Sequence, residues 1–144
     1  MAASIARVLL DSSPPQLDRL FDYRVPALYE ADARPGVRVR VPLRSAGRIA
    51  DGIIIELVSS VDYEGALSEI DSVVSPVQIL TPEVWKLARS VADRAAGSAN
   101  DIVRLAIPKR QVRVEKSWLA ERTEPTEPVA QAMPTTAQAD EYPP

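Results

Sequence analysis

Hydrophobic and polar residues follow one period up to about residue 75 and another from residue 81, so the chain divides into a strand-rich part and a helical part. Residues 5–10, Ile-Ala-Arg-Val-Leu-Leu, have the apolar centre of a strand, and Ser12-Ser13-Pro14-Pro15 ends it because proline cannot donate to a ladder. Residues 20–25 predict a second strand, closed by Pro26. After a polar loop ending in the turn signal Arg34-Pro35-Gly36, residues 37–41 alternate Val-Arg-Val-Arg-Val up to Pro42, which sends valines to one face and arginines to the other. A basic connection of hairpin length leads into residues 48–58, where Gly52 marks a bulge or bend ahead of Ile53-Ile54-Ile55. A polar loop containing Gly65 follows, and residues 70–75 predict a fifth strand ended by Pro76. Five strands on short turns suggest a small antiparallel barrel, because closure hides the backbone groups an open sheet leaves at its edges.

Thr81 has the chemistry of an N-cap, with Pro82 at the first helical position and Glu83 complementing the helix dipole. Val84, Leu87, Ala88, Val91 and Ala92 then recur at helical spacing as one apolar face, and this helix runs to about Ala96. Ser98-Ala99-Asn100-Asp101 is an acidic variant of the capping box and opens a short second helix that buries Ile102, Leu105 and Ala106 before Pro108. From about Ser117 the composition shifts to Pro, Thr, Glu, Gln and Ala. The expected architecture is therefore α+β: a small antiparallel β-barrel-like domain followed by two short helices, residues 1–113, and a disordered Pro/Glu/Thr-rich tail, residues 114–144.

A chain of 144 residues suits one core, and a single Phe among two Trp and four Tyr means that Val, Ile, Leu and Ala must fill it. Cysteine and histidine are absent, which removes thiol nucleophiles, His-based triads and Cys or His metal sites. No phosphate-binding Gly-Lys loop, dinucleotide fingerprint or nucleophile elbow is present, so no enzyme activity is expected of this chain, nor any cofactor or metal. A hydrolase built on paired carboxylates would need a second acid converging on the candidate one, and none can be placed. Without a membrane-length apolar run or a signal-peptide pattern, a cytoplasmic protein with no membrane partner is expected.

The net charge of −3 is uneven: through Arg113 there are 15 Lys or Arg against 14 Asp or Glu, and the acidic excess lies beyond. The run 33–50 carries Arg34, Arg38, Arg40, Arg44 and Arg48 and no acid, a local electropositive patch that favours phosphate partners. Arg38, Arg40, Arg44 and Arg48 are the candidate phosphate contacts, expected along one face, although exposed arginines on a solvated strand face are common. The other candidate is Phe21-Asp22-Tyr23. Alternation turns the two rings to one face and the carboxylate to the other. On residues alone Asp22 is equally at home as a solvated strand residue, with Phe21 and Tyr23 as core or rim, and Trp85 and Trp118 as packing.

Five blocks in order, Phe21-Asp22-Tyr23, residues 35–42 (PGVRVRVP), Gly52-Ile53-Ile54, residues 84–88 (VWKLA) with Ala92-Asp93, and residues 102–108 (IVRLAIP), resemble the N-terminal region of the bacterial primosomal protein N′ (PriA) family. The resemblance spans about residues 5–108. It implies a module that recognises the 3′ end of the nascent leading strand at stalled or repaired replication forks, as part of a replication-restart, primosome-assembling protein. It also implies that Phe21, Asp22 and Tyr23 line the 3′-end pocket and that the partner is forked DNA with a free 3′-OH, with other primosome proteins and single-stranded DNA-binding protein as further partners. The family includes ATP-dependent DNA helicases, and ATP and zinc belong to domains that these residues do not contain. Arg44 and Asp71 stand where the family often has glycine and lysine, and Arg94 and Ala95 replace aromatics that often follow the Ala-Asp of the first helix. The alternative is a protein-interaction module of the replication machinery without direct 3′-end recognition.

Overall fold

The computed structural model describes residues 4–11, 17–43, 47–59 and 66–123. Five strands, β1 (Ile5–Leu10), β2 (Leu20–Arg24), β3 (Val37–Leu43), β4 (Arg48–Val58) and β5 (Ser72–Gln78), form one antiparallel sheet in the order β2-β1-β4-β3-β5. Three helices follow: α1 (Pro82–Ala95), α2 (Ala99–Ala106) and α3 (Val112–Thr123). The architecture is α+β. No helix among the described residues is long and apolar enough to cross a membrane. The expected break at Ser12–Pro15, the loop at Gly65, Arg44 and the tail beyond residue 123 lie outside the described residues.

The sheet curls until its two edges meet. The segment leading into β5 turns to the far edge strand, where Arg24 of β2 donates its N–H to Ser68 (2.9 Å) and accepts from Ile70 (3.0 Å), while Asp71 donates to Arg40 of β3 (2.8 Å). Backbone groups that an open sheet would leave unpaired are thereby satisfied. Just beyond, the buried Tyr23 hydroxyl donates to the carbonyl of Pro42 (3.1 Å). Inside the curl lies a core led by Val8, Leu10, Tyr23, Val39, Val41 and Ile54.

Two of the prolines expected to end strands, Pro42 and Pro76, instead lie inside them. Within one strand residue the N–H and C=O point the same way; since Arg40 turns its carbonyl toward Asp71, Pro42 turns its N-side away from β4 and removes no rung of that ladder. Pro76 sits in edge strand β5, close to register shifts opposite Val37–Val39, where a missing donor is tolerated. Gly52 is not the bulge. That irregularity falls where Arg7 pairs with Glu56 and Val8 with Ile54, leaving Ile55 extra. Gly52 is required for close approach, because a Cβ there would meet Val8 Cγ1 at 2.6 Å and the Leu9 carbonyl at 2.9 Å.

On the outer face, Leu9 packs with Ala88 and Val103 from α1 and α2, joined by Ile53, Trp85 and Ile107. Thr81 caps α1 by accepting from the Val84 N–H (3.3 Å) and Ser98 caps α2 by accepting from Asp101 (3.2 Å), as the sequence predicts. The expected apolar face of α1 is only partly the buried one: Ala88 and Ala92 are buried, whereas Leu87 is 63% exposed and Val84 and Val91 are also exposed. Leu105 of α2, expected inside, is 86% exposed. Asp18 ties the helices to the strands, accepting from the Ala99 N–H (3.0 Å) at the start of α2 and from Arg89 of α1 (3.1 Å).

The third helix revises the expectation of two, and takes in residues 114–123, which composition had assigned to the linker. Its apolar residues Val112, Val114 and Trp118 are exposed, so no buried stripe announced it. What fixes it is electrostatic. Glu115 accepts from Arg38 Nη1 and from Arg110 Nε, each at 3.1 Å, and Arg122 stacks over Trp118 at 4.6 Å.

The turn before β3 is as the sequence predicts, with Pro35 presetting φ and Gly36 at φ 89°, and Val37 donating back to Arg34 (3.2 Å). A Cβ on Gly36 would also overlap the Leu80 carbonyl. Gly36→Ala is thus expected to destabilise the domain by more than about 2 kcal/mol, while Gly47→Ala, also at positive φ but with open space around it, costs about 1 kcal/mol. Denaturant unfolding of both variants measures the difference. Tyr23→Phe is expected to cost about 0.5–1.5 kcal/mol through its lost hydrogen bond. Burial holds the Tyr23 phenol above its ordinary value, so the folded chain keeps a proton that the unfolded chain releases. Stability should therefore be unaffected by this group below about pH 10 and fall above it, and the Phe variant should lack that fall.

Candidate nucleic-acid interface

Strand β2 separates the three residues of the triplet as alternation requires. Phe21 and Tyr23 face the interior of the barrel, Tyr23 fully buried and Phe21 packed partly against the core with Arg19 over its ring at 4.5 Å. Asp22 faces outward, its side chain 29% exposed. The hydroxyl of Tyr23 is committed to Pro42, so Tyr23 acts on the backbone of β2, while Phe21 and the Asp22 carboxylate are both partly exposed.

Asp22 has a neighbour that the sequence did not advertise. The register places Arg7 of β1 directly across from it, with Arg7 Nε 3.5 Å from Asp22 Oδ1. Arg7 also donates from Nη1 to Glu56 Oε1 of β4 at 2.7 Å, so a carboxylate, a guanidinium and a second carboxylate lie across three adjacent strands. The hydrogen bond to Glu56, more than the charge of Asp22, raises the Arg7 pKa above its ordinary value. The short contact is the one to Glu56. At 3.5 Å the contact to Asp22 is an ion pair of long reach, which leaves carboxylate lone pairs of Asp22 for a donor. Only the alternation of Arg7 within an apolar strand could have pointed to it, and that is a weak signal.

The arginines are not brought together as expected. Arg38 and Arg40 share the outer face, but Arg48 pairs with Leu43, whose side chain is buried in the barrel, and so belongs by register to the opposite face. The acid-free stretch of sequence is also not acid-free in space. Arg40 Nε lies 3.4 Å from Asp51 of β4, and Arg38 is held by Glu115 of α3 and by the Pro108 carbonyl at 2.9 Å. A groove of about 570 Å³ runs along Arg38 and Arg40 and not beside Asp22.

Comparison with known proteins places this geometry. The family model of the PriA 3′ DNA-binding domain matches residues 7–108. A probable replication restart protein PriA of Mycobacterium tuberculosis is 51% identical over 104 residues, covering 72% of this chain and 16% of the relative. Its counterpart in Mycobacterium leprae is 47% identical over 108 residues, covering 75% of this chain and 16% of the relative. The replication restart protein PriA of Bacillus subtilis is 27% identical over 92 residues, covering 63% of this chain and 11% of the relative. The chain thus spans about 16% of the length of the mycobacterial relatives it matches. A family match across both the barrel and the first two helices, supported by these identities, shows that the chain belongs to the 3′ DNA-binding domain family of PriA.

Proposed function

We propose that this domain binds DNA by the free 3′-OH end of a strand, with Asp22 as the accepting group, and that it does no catalysis of its own. The observation that carries this reading is a partly exposed carboxylate on a strand fixed by two inward-facing rings and by a barrel seam one residue beyond them. A terminal 3′-OH is a donor, as are amino and imino groups on a base edge, whereas a 3′ oxygen inside a strand is esterified and has no proton to give. A fixed acceptor therefore prefers an end, and its charge repels the phosphate of a continuing strand. Selectivity then comes from attraction and repulsion together.

In the full-length protein the end in question would be that of the nascent leading strand at a stalled or repaired fork, and the setting cytoplasmic replication restart and primosome assembly. ATP-dependent helicase chemistry and zinc would belong to other parts of that protein, with this domain using no cofactor. A second reading, a protein-interaction module for other primosome proteins or single-stranded DNA-binding protein, has one observation in its favour: Val84, Leu87 and Val91 form an exposed apolar strip on α1, and Leu105 stands exposed on α2.

Titration of one labelled oligonucleotide bearing either a 3′-OH or a 3′-phosphate separates the readings. The unmutated domain should prefer the 3′-OH. Asp22→Ala should remove charge-assisted bonds of about 1.5–3 kcal/mol, roughly ten- to a hundredfold in affinity, for the 3′-OH ligand only. The blocked strand should bind the variant as well as the parent or slightly better. Equal affinity of the parent for both ends would overturn end recognition, and an unaltered melting temperature in the variant excludes unfolding as the cause.

A further inference from the structure

The groove beside Arg38 has two walls that come from different parts of the chain. One is the outer face of β3 and β4; the other is α2 with the residues that leave it. Arg38 and Arg40 stand on the strand wall, Arg104, Lys109 and Arg110 on the helical wall, and Asp11 and Asp51 are the acids in the lining among the described residues. The two arginines of β3 are separated by two strand residues, or about 6.8 Å. Among the described residues no aromatic ring lines the groove, so they offer no platform on which an unstacked base could lie. An open trough with cations on both walls and no stacking surface suits a strand whose bases are already stacked inside a duplex.

The arginines are paired, but mostly by contacts that phosphate can replace. Arg104 Nε donates to Asp11 at 2.7 Å and Arg40 lies near Asp51, with Asp11 and Asp51 side chains 52% and 69% exposed. Such solvated pairs contribute little to stability, and a guanidinium fork suits a phosphate as well as a carboxylate. Glu115 is different. Its side chain is only 11% exposed, it accepts from both Arg38 and Arg110, and it comes from α3, whose Val112, Val114 and Trp118 remain exposed. A carboxylate thus occupies two of the five cations that border the groove.

We propose that this groove is a sugar-phosphate track for a DNA duplex, read without regard to base sequence, and that Glu115 is the anion the duplex displaces. The inference rests on DNA being the ligand of this domain, but not on Asp22 reading a 3′ end. Arg38 and Arg40 belong to the run already marked as electropositive; Arg104, Lys109, Arg110 and the competing Glu115 are what the structure adds. An acidic peptide is the rival occupant.

The test uses the 144-residue chain and a blunt duplex carrying a 3′-phosphate on each strand, titrated by fluorescence anisotropy across a salt series. Lys109→Ala combined with Arg104→Gln should weaken binding at least fivefold and reduce the slope of log affinity against log salt by about two. Glu115→Gln should act in the opposite direction and strengthen binding at low salt at least threefold, an outcome that loss of folding cannot mimic. Failure of the track is read on this 3′-blocked duplex and failure of end recognition on the comparison of 3′-OH with 3′-phosphate strands, so the two are distinguishable. Unchanged affinity and slope in the double variant, or no gain in Glu115→Gln, overturns the proposal. So does a poly-glutamate probe that binds more tightly than the duplex and is not displaced by it.

Discussion

Closure of the sheet at Arg24 is the constraint on which the rest depends. Five short strands leave two edges, and the hydrogen bonds between Arg24 and Ser68 and between Arg24 and Ile70 pair one edge with the approach to the other. The seam also gives Val8, Val39, Val41 and Ile54 an interior to fill, which matters in a chain with a single Phe and a core built from small branched side chains. Tyr23 spans the same seam and bonds a carbonyl of β3 that β5 is too short to reach. A small barrel of this kind is held by backbone hydrogen bonds along its ladders and across the seam, and by the packing they enclose.

The candidate site inherits its rigidity from that seam. Asp22 lies two residues before Arg24 and between two rings that the barrel has enclosed, so its backbone cannot shift without opening the interior. The cross-strand guanidinium of Arg7 keeps the carboxylate company at a distance that does not saturate it, while Glu56 takes the shorter hydrogen bond. A fixed acceptor with free lone pairs is what terminal donors require; a mobile side chain would lose the advantage to ordering entropy.

Local alternation made the strands legible: the bounds of β1 and β4, the turn at Pro35-Gly36, and the opposite facing of Asp22 and its neighbouring rings were all written in period-2 order. Non-local facts were not. Whether Pro42 and Pro76 end a strand depends on which side of the ladder their missing donor faces, and that is set by neighbours far away in sequence. The bulge lies at Ile55, while Gly52 is where β1 passes close. In the same way, the acid-free run 33–50 suggested four arginines on one face, yet Asp51 and Glu115 reach Arg40 and Arg38 from other elements, and register turns Arg48 away. Charge patterns along a chain describe composition, and only the fold decides which charges meet.

The helices show the same limit from another side. In α1 the positions Val84, Leu87, Ala88, Val91 and Ala92 form one broad apolar arc, and periodicity cannot say which edge of it faces the sheet. Small Ala88 and Ala92 let the helix axis come close enough for Trp85 to join the cluster around Leu9, Ala88 and Val103, and Asp18 fixes the rotation by holding Arg89 and the first turn of α2 at once. Rotating the larger Leu87 and Val91 inward would increase apolar burial but lift the helix off the strands and break the Asp18 contacts. The larger residues therefore remain outside, available to whatever packs against this face, while α3, with no buried apolar stripe, rests beside β5 and is tied down by a carboxylate held by two arginines.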